Sequence, residues 1–198
     1  MRNPATKFLT AIFLLATSST AFAHPGHNLS GLAAGLTHPF FGLDHLLAML
    51  AVGLWAAQGR SKGSGGLKVW LLPATFMTML AVGSGIAMQW QSLTLIGTGI
   101  ATSVLALGLL IALSLQFPVA LSVAITALFA LMHGYAHGLE LTASATPFLY
   151  ALGFLVATVT LLLTGIAVGI LTRDRYAFLS KSLGIAIVAS GAWMLATV

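Results

Sequence analysis

The chain contains no cysteine, which removes thiolate metal sites, c-type haem attachment and any disulfide framework. Charge is almost as scarce: charged residues make up 6% of the 198 positions, against roughly a quarter in an ordinary soluble domain. Only three residues are acidic. The net charge of +5 invites a polyanion as partner, but the eight Lys and Arg never form a run and sit in short gaps between apolar stretches. Nucleic acid is therefore not expected as a partner. There is no P-loop and hence no ATP motif. What remains is apolar, with hydrophobic residues at 59%. The bilayer is the solvent such a chain needs, and its length suits one compact unit of several helices without a separate soluble domain.

Residues 1–23 read as a signal peptide. Arg2 and Lys7 form a positive start, Phe8–Ala16 a short apolar core, and Ala21-Phe22-Ala23 a small-x-small cleavage pattern. The apolar run falls well short of the ~20 residues a span requires. The mature unit is then residues 24–198.

Six stretches of that unit are long enough to cross a bilayer: Pro39–Ala57, Val69–Gln89, Leu93–Leu115, Val119–Gly138, Pro147–Leu171 and Phe178–Val198. Gly- and Ser-rich, Pro-containing or charged breaks separate them. Runs of this length are helices, because barrel strands are shorter and alternate in polarity. The expectation is an all-α membrane protein with six transmembrane helices after a cleaved signal peptide. Basic residues set its orientation. Arg60, Lys62 and Lys68 lie at the first gap and Arg173, Arg175 and Lys181 at the fifth, with none of the mature chain on the opposite side. Both mature termini should be extracytoplasmic and the protein should sit in the bacterial inner membrane.

Four of the six histidines and two of the three acids fall in two clusters, His38/Asp44/His45 and His133/His137/Glu140. An ionisable side chain at membrane depth is costly and marks a substrate or ion path. Imidazole with carboxylate is also a ligand set that divalent transition metals favour. The topology places both clusters in the outer leaflet, since the first span enters from outside and the fourth exits outward. His133, His137 and Glu140 are spaced i, i+4, i+7 on one helix face. The carboxylate is either a third ligand or the partner that fixes a histidine tautomer. Thr37-His38-Pro39 reads as a helix start, with Thr37 as N-cap and Pro39 just inside. His38 and His45 then share a face, and Asp44 points about 100° from His45.

His24 and His27, at the new N-terminus, form a possible capture site for divalent copper or nickel. Gly165-x-x-x-Gly169 and similar spacings permit close helix packing. Met49, Met77, Met79, Met88 and Met132 read as filler. Hydrogen-bonding histidines between helices and bis-His haem ligation are the competing readings of the clusters.

The run Gly35-Leu36-Thr37-His38-Pro39-Phe40-Phe41-Gly42-Leu43-Asp44-His45 resembles the HupE/UreJ family of membrane proteins, as does His133-Gly134-Tyr135-Ala136-His137-Gly138-Leu139-Glu140. The layout of signal peptide, His-Pro-Gly-His start and six spans is similar too. The resemblance implies nickel uptake serving hydrogenase or urease maturation, with cobalt or copper as other cargoes. It implies that His38, Asp44, His45, His133, His137 and Glu140 handle the metal. The expectation is a permease rather than an enzyme. Its rivals are a metal- or haem-dependent membrane enzyme, for which Tyr135 is a weak nucleophile candidate, and a non-transporting accessory subunit.

Overall fold

A backbone without water must satisfy its own N–H and C=O groups, so the apolar runs become helices. The computed structural model describes residues 31–59, 65–90, 95–142, 146–172 and 176–198. Among these residues the chain is all-helical, with no strand. The helices are α1 (Gly31–Phe41), α2 (Leu43–Gln58), α3 (Gly65–Ala87), α4 (Ile96–Ala112), α5 (Val119–Thr142), α6 (Pro147–Thr172) and α7 (Ala177–Thr197). The expected signal peptide, His24, His27, Arg60, Lys62, Arg173 and Arg175 lie outside the described residues.

Four helices, α3, α5, α6 and α7, are each long and apolar enough to cross a membrane, and α1 with α2 makes a fifth when taken as one unit. α4 has 17 residues, about 25 Å at 1.5 Å per residue against a hydrocarbon core of about 30 Å.

The first expected span departs from the sequence reading. It is not one helix beginning at Pro39. α1 begins upstream, and α1 and α2 meet at a bend of 76°. Thr37 is no N-cap: it lies inside α1, and its hydroxyl donates to the carbonyls of Ala33 (2.8 Å) and Ala34 (3.2 Å). Pro39 occupies the last turn of α1, where it has no N–H to return to the Gly35 carbonyl. Gly42 then leaves the helix in an extended conformation (φ −80°, ψ 104°). A Cβ at Gly42 would stand 2.7 Å from Cδ2 of His45 and displace that ring from its place over the break. His38 and His45 therefore sit on two helices rather than on one face.

α2 is the central element: every residue from Ala51 to Ala57 is buried. Met49, Trp55 and Phe76 of α3 are among its fully buried side chains and neighbours. Neighbouring helices approach to backbone contact through glycine, the expected use of small residues in a membrane. Gly83 and Gly134 join α3 to α5, Gly53 and Gly165 join α2 to α6, and Gly108 and Gly184 join α4 to α7.

The end of the bundle at the C-terminus of α2 is closed by the α4–α5 linker. Trp55 Nε1 donates to the Leu115 carbonyl (2.9 Å), Gln58 Nε2 to the Ile111 carbonyl (3.4 Å) and to Ser180, and Lys68 to the Phe117 carbonyl. Lys68 and Lys181 thus lie at this end. The N-terminus of α2 and the C-terminal part of α5 lie at the other.

Candidate metal centre

The two sequence clusters meet at that opposite end. α1 carries His38, α2 carries Asp44 and His45, and α5 carries His133, His137 and Glu140. On α5 each histidine is followed by a glycine, and the two residues divide the helix surface. Gly134 and Gly138 meet the backbone of α3 around Leu80 and Ser84, while the histidines, about 100° round the helix, face α1 and α2.

His45 and His137 are closest, with ring centroids 4.1 Å apart. His38 stands 5.5 Å from His45 and 5.2 Å from His137. One carboxylate oxygen ties the group: Glu140 Oε2 lies 3.1 Å from both His38 Nε2 and His137 Nδ1. The Tyr150 hydroxyl of α6 donates to the same oxygen at 3.5 Å. One ligand atom from each of His38, His45, His137 and Glu140 lies within 4.8 Å of the others. Ligands of one tetrahedral ion at bonds of about 2.0–2.2 Å stand about 3.3–3.6 Å apart, so side-chain shifts of about an ångström would close this set.

Hydrogen bonding fixes how the imidazoles present themselves. When Glu140 is ionised its oxygen only accepts, so His137 Nδ1 then carries the proton and Nε2 presents a lone pair. The His133 Nδ1 donates in the same way to the Phe129 carbonyl (3.0 Å). His137 Nε2, His133 Nε2 and His45 Nδ1 are buried without a hydrogen-bond partner. Each such atom costs about 1–3 kcal/mol. Three together on neighbouring rings give the cluster lone pairs that no protein group satisfies, which suits ligation better than a purely structural role.

The structure separates two expected ligands from this close group. Asp44 accepts from the His45 backbone N–H (2.9 Å), stands 3.7 Å from His45 Nε2, and is part-exposed. His133 lies one turn deeper, fully buried, 5.7 Å from His45. The Tyr135 hydroxyl donates to the Trp90 carbonyl, on the α3 side of the helix.

Sequence reasoning did not single out Tyr150 and Phe154. Phe154 packs against His137 with centroids 4.1 Å apart and lies 6.2 Å from His38. Both stand on one face of α6 near its start, at the same end as Glu140, and that i, i+4 aromatic pair was the available signal. A cavity of about 260 Å³ between α3 and α6 ends at His137, with Leu80, Ser84, Met88, Tyr150 and Phe154 in its wall.

Fold and site together define a multi-pass helical membrane protein with a histidine–glutamate cluster, its His45 and His137 buried and its Glu140 exposed. Comparison with known proteins gives the family. Residues 12–194 match the HupE / UreJ protein family. The chain is 39% identical to Protein HupE of Rhizobium leguminosarum bv. viciae over 190 residues, covering 96% of this chain and 97% of that protein. This chain belongs to the HupE/UreJ family. No solved structure matches it.

Proposed function

We propose that the protein is a permease that carries a divalent transition metal inward across the bacterial inner membrane, with His38, His45, His137 and Glu140 as its ligand set. The observation that carries this reading is the convergence of His38, His45, His137 and Glu140, whose ligand atoms lie within 4.8 Å of one another, with Glu140 Oε2 at 3.1 Å from both His38 and His137. Nickel is the first candidate through the family, with cobalt and copper as alternatives that the same N/O donors accept. An open set of three imidazoles and a carboxylate permits the fast ligand exchange that transport needs. Asp44 and Glu140 offset the charge of the ion, and His24 and His27 form a capture site ahead of it.

In this reading α1 with α2 is a broken first span and the short α4 the third, which makes six spans after a cleaved signal peptide. Lys68 and Lys181 lie at the end opposite the cluster, which supports an extracytoplasmic cluster under the positive-inside rule. Inward movement of a dication is then downhill by about 4.6 kcal/mol at 100 mV.

A second reading, an accessory protein that holds metal without moving it, draws on the packing below the site, where Met49, Val52, Trp55 and Phe76 are at most 1% exposed. Reconstituted vesicles separate the two. The permease reading requires potential-driven uptake of 63Ni(II) that His137→Ala abolishes. Stoichiometric binding without uptake would establish the accessory role.

A further inference from the structure

We propose that His45 and His133 form a second, deeper ion position, the first inward step from the His38/His45/His137/Glu140 group. The inference rests on the permease reading and adds to it a path.

His133 precedes His137 by four residues on α5, so it stands about 6 Å farther along the helix, toward the middle of the bundle. Its ring is wholly enclosed (0% exposed) and has been given one orientation. The Phe129 carbonyl takes the Nδ1 proton at 3.0 Å, and Nε2 is left as a bare lone pair without a partner. A carbonyl holding one ring nitrogen so that the other can bind is the usual support of a metal-binding histidine.

The spacing to His45 fits an ion as well. Two imidazoles on one ion, with bonds of about 2.0–2.1 Å and angles from tetrahedral to linear, place their centroids about 5–6.5 Å apart. His45 and His133 are 5.7 Å apart at an interplanar angle of 71°. His45 is also a member of the outer group, 4.1 Å from His137, and has its own buried Nδ1 without a partner. It is the ring that both positions share, so an ion can be handed on without leaving a nitrogen ligand.

The deeper position differs in charge. The Phe76 ring of α3 lies 6.1 Å from His133, and Glu140 stays with His38 and His137. The nearest carboxylate is Asp44, 3.7 Å from His45 Nε2. Two neutral imidazoles offset little of a dication's charge, so an ion rests there briefly. His133 should therefore govern the rate of transfer and leave equilibrium affinity to the outer group.

The test uses the full-length protein and Ni(II). In His133→Asn the side-chain amide takes over the hydrogen bond to the Phe129 carbonyl, and the Nε2 lone pair is lost. The expected result is a nickel Kd within threefold of wild type and an uptake kcat at least tenfold lower, with KM little changed. Uptake at the wild-type rate would overturn the proposal. So would a parallel loss of binding and uptake, which would make His133 part of the outer site. An unfolding midpoint within about 5 °C of wild type qualifies the variant. If Asn misses it, His133→Leu, which has no ligand atom, is read by the same two assays and judged by the same outcomes. Failure of the wild-type protein to bind or import nickel is a separate result, and it would remove the permease reading itself.

Discussion

His45 of α2 and His137 of α5, far apart in sequence, bring their imidazoles together with centroids 4.1 Å apart and planes tilted by 51°. Neither ring completes its hydrogen bonding there: His45 Nδ1 and His137 Nε2 are both buried without partners. Ligands of one ion act as a unit. His45→Ala and His137→Ala should each lower nickel affinity at least a hundredfold, and the double variant should be no worse than either single. Isothermal titration of the purified variants checks this; independent, additive losses would mean two separate sites.

Protons compete with metal for imidazole, because only the neutral ring has a lone pair to offer. An ordinary imidazole takes up its proton near pH 6.5. Falling pH therefore weakens binding and rising pH restores it, more steeply than for one proton because several rings share the ion. Nickel affinity measured from pH 8 downward should fall once the rings begin to take up protons, and an affinity that rises as pH falls would contradict imidazole ligation.

Backbone contact between α3 and α5 holds the two α5 histidines in place. A Cβ at Gly134 would stand 2.7 Å from the Leu80 Cα, whereas one at Gly85 meets nothing within 4 Å. Gly134→Ala should destabilise the protein by about 1–3 kcal/mol, and Gly85→Ala should be neutral or slightly stabilising. Thermal unfolding in detergent distinguishes the two; equal effects would contradict the packing described.

Much of this was legible in the sequence. The ends of α3, α6 and α7 fall within a few residues of the expected spans, because glycine, proline and charge interrupt otherwise continuous apolar runs. The meeting of His38 and His45 with His137 and Glu140 followed from counting spans and noting that both clusters fall at the same end. The break at Gly42 did not. Thr37 and Pro39 carry the local signals of a helix start, and those signals are indifferent to whether Gly31–Leu36 is already helical. What decides it is tertiary: Gly35 and Gly153 let α1 lie against the backbone of α6. Nor could spacing separate His133 from His137, which share a face; only the depth of the α1–α2 bend assigns one to the outer group.

Orientation is tested independently of metal. Cysteine placed at Ser64, in the gap beside Lys68, should resist an impermeant thiol reagent in intact cells, and cysteine at Ser144, just beyond α5, should react. The reverse pattern would put the histidine cluster on the cytoplasmic side and convert the proposed importer into a protein loaded from within.

The most direct test of the central claim is X-ray absorption spectroscopy of the nickel-loaded, purified protein. The account requires a first shell of about three imidazole nitrogens and one carboxylate oxygen at about 2.0–2.2 Å, with nitrogen scattering reduced when His137 is replaced by alanine. A shell of oxygen alone, unchanged by that substitution, would contradict it.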